Sequence, residues 1–283
     1  AILMAMAASE VEILGLTTVG GNVPLARATR NALSLLQAAG RSDIPVAKGA
    51  SRPLRGKFAY APHFHGPGGL SQRLPDPANG PVEDGAVKFL YDQLTGERGE
   101  AVLVALGPLT NLAMLLRDRP IALEQAKQIV VMGGAVNTPG NVTPEAEFNF
   151  YCDPVAADIV LSSRLPITMV DLEACRQVKI SREQALGLKS ATPLGRLMLD
   201  MLQGWFYREP SREKFEFCDP LAMAIALDPA IATATKVDLD VGIEKDELLG
   251  ATSETGGPGE ITLTQDVDSS RFFALFGRLF ELR

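Results

Sequence analysis

An α/β fold with an open, mainly parallel sheet and helices on both faces is predicted by three observations. Short runs in the first two thirds of the chain are apolar at consecutive rather than alternate positions, as strands buried on both faces must be. Most of these runs end at Gly or Pro, and the segments between them carry apolar residues at helical spacing.

The elements follow in order. Val11–Val19 is apolar, includes β-branched residues and stops at Gly20-Gly21; Pro24–Ala39 then places Leu25, Ala28, Ala32, Leu35 and Leu36 on one helical face. Ile44-Pro45-Val46 predicts a second strand, a long loop runs to Pro81, and a helix is predicted over Glu83–Gly96. The run Ala101–Leu106 ends at Gly107-Pro108, and helix Leu109–Arg117 leads to the strand Gln128–Met132 and Gly133-Gly134. Helix Pro154–Ser163 leads to the strand Pro166–Val170. Helical patterns at 181–189, 193–207 and 219–227 then come in succession, predicting a helical cluster over the site. Lys236–Gly242 and Glu260–Thr264 read as late strands and Ser269–Glu281 as a closing helix. No low-complexity linker interrupts the chain, so residues 1–283 are read as one domain.

Composition excludes several functions. A net charge of −7, from 27 Lys and Arg against 34 Asp and Glu, leaves no basic surplus for nucleic acid. Three Cys without C-x-x-C spacing support neither a disulfide framework nor a zinc cluster, which points to the reducing cytoplasm. No apolar run of ~18 residues suggests a membrane span. The two His, His63 and His65, are too few for a three-histidine metal site.

In open α/β sheets ligands bind beyond the carboxyl ends of the strands, which directs attention to Gly20-Gly21-Asn22, Leu106-Gly107-Pro108, Met132-Gly133-Gly134 and Val170-Asp171. The richest segment is Met132–Pro154, with Asn141, Glu147 and Asn149 as groups that suit a polyhydroxyl ligand; in an extended segment Glu147 and Asn149 would point the same way. The alternative is a polar loop whose Asn and Pro only make turns. Gly20-Gly21 lacks both the G-x-G-x-x-G frame and a P-loop Lys, so a tight turn accounts for it equally well. Asp219, followed by Pro220, is first of all a helix cap and otherwise a hard oxygen ligand for Ca²⁺ or Mg²⁺. His65 lies in a loop too long for a plain connection, while Trp205-Phe206-Tyr207 reads more readily as core than as a stacking platform.

Gly15–Asn22, Ala105–Ala113, Met132-Gly133-Gly134 and Gly140–Asn149, in this order, make the chain resemble the inosine/uridine-preferring nucleoside hydrolases. The resemblance runs from Ala1 to at least Pro229. It implies hydrolysis of the N-glycosidic bond of a ribonucleoside to ribose and base, with one Ca²⁺, in nucleoside salvage, by a homodimer or homotetramer. It implies Asn22, Met132, Asn141, Glu147 and Asn149 at the ribose, Phe148 near the base, and His65 in a loop near the substrate. It further implies calcium ligation by the Leu106 backbone carbonyl and the Asp219 side chain.

Two departures qualify that expectation. The family opens with a strand and D-T-D-P-G-x-D-D, which supplies most calcium carboxylates and the base that activates water; here Ala1–Met6 aligns with the helix just after it. The Val11–Val19 strand is therefore expected to have an unpaired edge, and a truncated amino terminus is the favoured explanation. Cys218 stands where many members carry a His, and a thiol is a weaker acid for the leaving base; packing alone is its other reading. The alternatives to hydrolysis are a non-catalytic riboside-binding or scaffolding protein on the same fold, and a hydrolase of another N-riboside such as nicotinamide riboside.

Overall fold

The computed structural model describes residues 1–97, 99–244, 246–257 and 259–283. Its strands are β1 (Leu16–Thr18), β2 (Val46–Lys48), β3 (Val102–Ala105), β4 (Gln128–Met132), β5 (Ile167–Val170), β6 (Lys179–Ser181), β7 (Lys214–Glu216), β8 (Ala232–Val237), β9 (Leu239–Val241), β10 (Thr252–Glu254) and β11 (Ile261–Val267). The central sheet has the order β3-β4-β5-β11-β8, parallel except for β8. β1 and β2 form a separate parallel pair, and β9–β10 and β6–β7 are antiparallel pairs.

The consecutive apolar runs do what two-sided burial requires. Along β4, Val130 and Met132 enter one core while Ile129 and Val131 enter the other, and all four are at most 3% exposed. The first core lies under the helices Pro193–Arg208, Cys218–Leu227 and Ser269–Phe280, and the second under Thr110–Asp118 and Pro154–Leu161. Local chemistry starts these helices where the sequence allows: Thr192 accepts from Gly195 N–H with Pro193 behind it, and Asp153 accepts from Ala156 N–H with Pro154 behind it.

Three expectations are corrected. The strand foreseen over Val11–Val19 is only Leu16–Thr18, because among the described residues its amino-terminal half has no strand beside it to pair with. Lys236–Gly242 is not one strand: β8 pairs with β11, β9 pairs with β10, and the chain changes sheet between them. The pair β6–β7, which brackets the helical cluster, has no counterpart in the predicted elements because each strand is three residues long and only partly buried.

β1 and β3 run in the same sense with their carboxyl ends together. A Cβ on Gly21 would lie 3.0 Å from the Pro108 ring. Asn111, 4% exposed in the helix after β3, closes the junction: its Oδ1 accepts from Ala50 N–H at 2.9 Å and its Nδ2 donates to Thr18 O at 3.1 Å. Asn111→Ala strands a buried amide and is expected to cost about 2 kcal/mol in urea unfolding. A loss below about 0.5 kcal/mol would mean that water replaces the carboxamide at no cost.

Candidate active site

The carboxyl ends of the strands deliver Asn22 after β1, Leu106 after β3, Met132 at the end of β4 and Asp171 after β5. Asn22, Leu106 and Asn149 share the wall of one cavity of about 750 Å³. Glu147 is close enough for the Asp219 charge to act on it.

Glu147 is 2% exposed and caps the short helix Phe148–Cys152. Its Oε2 accepts from Gly134 N–H at 3.2 Å and Phe150 N–H at 3.1 Å. Gly134 adopts φ 83°, and a Cβ there would lie 2.2 Å from Met169 Cε, so only glycine brings this amide to the carboxylate. Burial pushes the Glu147 carboxyl up to about 7 against the backbone donors that pull it down. Asn149 Nδ2 donates to Met132 O at 3.1 Å, and Asn141 Oδ1 accepts from Phe148 N–H at 2.9 Å. The extended arrangement expected for Glu147–Asn149 is therefore wrong: the segment turns into a helix, and the two side chains converge because both lean on the end of β4.

Cys218 and Asp219 lie in the first turn of the helix Cys218–Leu227, whose cap position is Phe217 with no side-chain cap bond, so the helix-cap reading of Asp219 is corrected. Asp219 is accessible to solvent, yet it lies deep enough in the protein envelope that desolvation raises its pKa. Cys218 is half-buried beside the buried Cys175, whose thiol is pushed well above its usual value by Cys218 first and by burial second. His65 stands outside the cavity wall, on the short helix Pro62–His65, whose base is tied to Asn22 by Ala61 N–H donating to Asn22 O at 3.0 Å. Burial, then the charges of Arg208 and Arg212, drop its imidazole to about 4, so His65 is neutral at pH 7.

Several organising residues escape a reading of the sequence. Arg208 Nη1 donates to His65 O at 2.8 Å, and Arg212 donates to His63 O at 3.0 Å while stacking 4.0 Å from Trp205, so these arginines hold the histidine segment. Trp205 and Phe206 are core, and Tyr207 is 65% exposed. Asp171 accepts from Val136, Glu173 and Ala174 N–H, fixing the loop after β4, and Asp153 accepts from Thr110 Oγ1 and Leu54 N–H. The Asp-Pro pair at 153 was the available signal for one of these caps.

Calcium takes six to eight oxygen ligands. Asp219 and the Leu106 carbonyl are two, and no group of three or more His, Cys, Asp and Glu among the described residues could hold a metal. By themselves these residues do not make a calcium site. Among the described residues no helix is long and apolar enough to cross a membrane.

Residues 1–274 match the family described as inosine-uridine preferring nucleoside hydrolase. The chain is 44% identical to uridine nucleosidase 1 of Arabidopsis thaliana, over 74% of this chain and 62% of that protein. It is 34% identical to the pyrimidine-specific ribonucleoside hydrolase RihA of Shewanella woodyi, over 99% of this chain and 93% of the other. Among solved structures, a plant nucleoside hydrolase superposes with a TM-score of 0.89 at 31% identity, covering 99% of this chain and 94% of that one. A purine-preferring ribonucleoside hydrolase from Gardnerella vaginalis superposes with a TM-score of 0.88 at 28% identity, covering 99% and 93%. Similarity across nearly the whole chain, in sequence and in fold, makes this protein a member of the inosine-uridine preferring nucleoside hydrolase family.

Proposed function

We propose that the chain binds ribonucleosides at the strand ends around Glu147 and hydrolyses their N-glycosidic bond, the oxygen of a water bonding to C1′ as the base leaves with a proton, to give ribose and free base. The observation that carries this reading is the convergence of the Glu147 carboxylate and the Asn149 carboxamide on the end of β4, with Asn141 fixed against Phe148. Breaking the bond from C1′ to the base builds positive charge on the sugar ring. A carboxylate already oriented by two backbone donors stabilises that charge more than it stabilises the bound substrate. Asn22, Asn141 and Asn149 would bind sugar hydroxyls, with Met132 packed against the ribose, Phe148 beside the base and His65 approaching it as a neutral hydrogen-bonding group. Cys218 is the proposed donor to the leaving base. The Ca²⁺ dependence implied by the resemblance would rest on Leu106 and Asp219 as part of a shell, so no step is routed through the ion.

We place this activity in nucleoside salvage in the cytoplasm, carried out by a homodimer or homotetramer of a single domain spanning 1–283. The three free cysteines are in keeping with that compartment. A second reading is riboside binding without turnover, in which Glu147 and Asn149 hold the sugar and no bond is broken.

Ribose release from uridine, inosine, adenosine and cytidine, measured with and without CaCl₂, separates the two readings when paired with calorimetric titration of each riboside. Turnover supports hydrolysis, binding without ribose release supports the second reading, and neither binding nor release overturns both. In a turning-over protein Glu147→Gln is expected to lower kcat about 100-fold with a riboside Kd changed no more than a few-fold. Equal losses in both would mean that Glu147 only holds the ground state.

A further inference from the structure

The loop after β4 carries Asn141 with little packing to hold it. Between the buried Val136 and the buried Ala146, every residue is exposed or half-buried. The segment from Gly140 to Ala146 is nevertheless closed upon itself. Gly140 N–H donates to Pro144 O at 2.8 Å, Asn141 N–H to Ala146 O at 3.1 Å, and Ala146 N–H to Thr143 Oγ1 at 3.0 Å. A Cβ on Gly140 would lie 2.2 Å from Ala146 O, so the turn has no slack at that point. Asn141 therefore moves only when the whole turn moves. The carboxyl-terminal end of the turn is fixed, because Ala146 is buried, bridges to Ala251 and precedes the buried Glu147. Where Asn141 stands is set by what holds the other end, residues 137–140.

That end is held from the short helix Leu172–Cys175, which follows β5. Leu172, Ala174 and Cys175 are at most 2% exposed, so the helix is a firm base, and Arg176 N–H donates to Leu172 O at 3.0 Å. From this base Arg176 Nη1 donates to Thr138 Oγ1 and Nη2 to Gly140 O at 3.4 Å. Two acceptors two residues apart suit the planar fork of a guanidinium, whereas an ammonium is a single point charge. The same helix holds the loop further back, where Leu172 N–H donates to Gly134 O at 3.1 Å and Asp171 Oδ2 accepts from Val136 N–H at 3.0 Å. Beyond Val136 its grip consists of Arg176. The other tether on this stretch, Asn137 Nδ2 donating to Glu254 Oε1 at 2.9 Å, joins two exposed side chains, for which water competes.

We propose that Arg176 is a positioning residue of the site: by gripping Thr138 and Gly140 it sets where the Asn141 carboxamide stands, and through Asn141 it sets the affinity for the sugar. The inference rests on the reading of Asn141 as a sugar-binding residue. Arg176 itself touches no reacting atom, and its whole contribution passes through the turn that it holds. A hydrogen bond from Asn141 to a sugar hydroxyl forms before any bond breaks, so its loss falls on binding.

The test measures uridine affinity by calorimetry and amide hydrogen exchange on the full chain carrying Arg176→Ala, Arg176→Lys, Asn141→Ala, or the two alanine substitutions combined. The uridine Kd is expected to rise about 10-fold in each single alanine variant and no further in the combined one, since both losses pass through one carboxamide. Arg176→Lys keeps the charge but not the two-point grip, and should recover no more than about threefold. Exchange of the Phe148 amide, which donates to Asn141 Oδ1 at 2.9 Å, should quicken about 10-fold in Arg176→Ala. The Phe150 amide, held by Glu147 at 3.1 Å, should stay within about twofold. Additive losses in the combined variant, full recovery by Lys, unchanged exchange at Phe148, or equal quickening at Phe148 and Phe150 would each overturn the proposal. If the unsubstituted chain binds no riboside, the sugar-binding reading of Asn141 fails, and exchange at Phe148 and Phe150 still decides whether Arg176 positions Asn141.

Discussion

Between pH 4.5 and pH 7 the folded chain is expected to lose about 3 kcal/mol of stability through Glu147 alone, and Glu147→Gln is expected to remove that loss. Burial raises this carboxyl in the folded state from 4.5 to about 7. The unfolded chain therefore releases the proton first. Over that window the folded state binds more protons than the unfolded state, so stability is full below pH 4.5 and falls as pH rises through 7. Asp171, raised by burial from 3.8 to about 6, acts in the same direction over a lower window. It is present in both proteins, so the difference between wild-type and Glu147→Gln unfolding curves isolates Glu147. Urea denaturation at half-unit pH intervals without added metal provides the measurement. A flat difference curve would mean that Glu147 is solvated in the folded state and that its position beneath Gly134 is wrong.

Phe217→Ala is expected to destabilise the fold by about 4 kcal/mol, the cost of deleting a fully packed aromatic ring. Phe217 is 2% exposed and meets Phe215, Phe272, Phe273 and Phe276 at centroid distances between 5.1 and 5.8 Å. These contacts join β7, the helix Ser269–Phe280 and the start of the helix that carries Cys218 and Asp219. Loss of the ring should therefore also loosen those two residues. Phe217→Leu retains most of the buried area and should recover more than half of the stability. If Phe217→Ala costs less than about 1 kcal/mol, the aromatic cluster is not what anchors this helix.

The alternation of strands and helices was legible because each central strand is apolar on both faces, and Ile129, Val130, Val131 and Met132 fill two cores from one run. The family was legible in motifs at the strand ends. What was not legible depends on partners distant in sequence. Nothing local marks Asn111 as the link between Thr18 and Ala50, or Arg208 and Arg212 as the holders of the His63–His65 segment. Glu147 and Asn149 were identified as a pair for a geometric reason that fails. Their two-residue spacing suits an extended strand, but the cap formed by Glu147 turns the backbone into a helix, and the convergence comes from Gly134 and Met132.

The separation of β1–β2 from the central sheet also bears on how the molecule comes apart. Leu36, Ile44 and Val46 form the buried apolar cluster of that smaller part, against more than twenty residues in each core of the larger part. Among the described residues no ladder joins β1 and β2 to the central sheet, and Asn111, bonded to Thr18 and Ala50, is a link between the two. Amides of β1 and β2, with few buried neighbours, are expected to exchange faster than those of β4, and equal protection would mean that Asn111 couples the two parts fully.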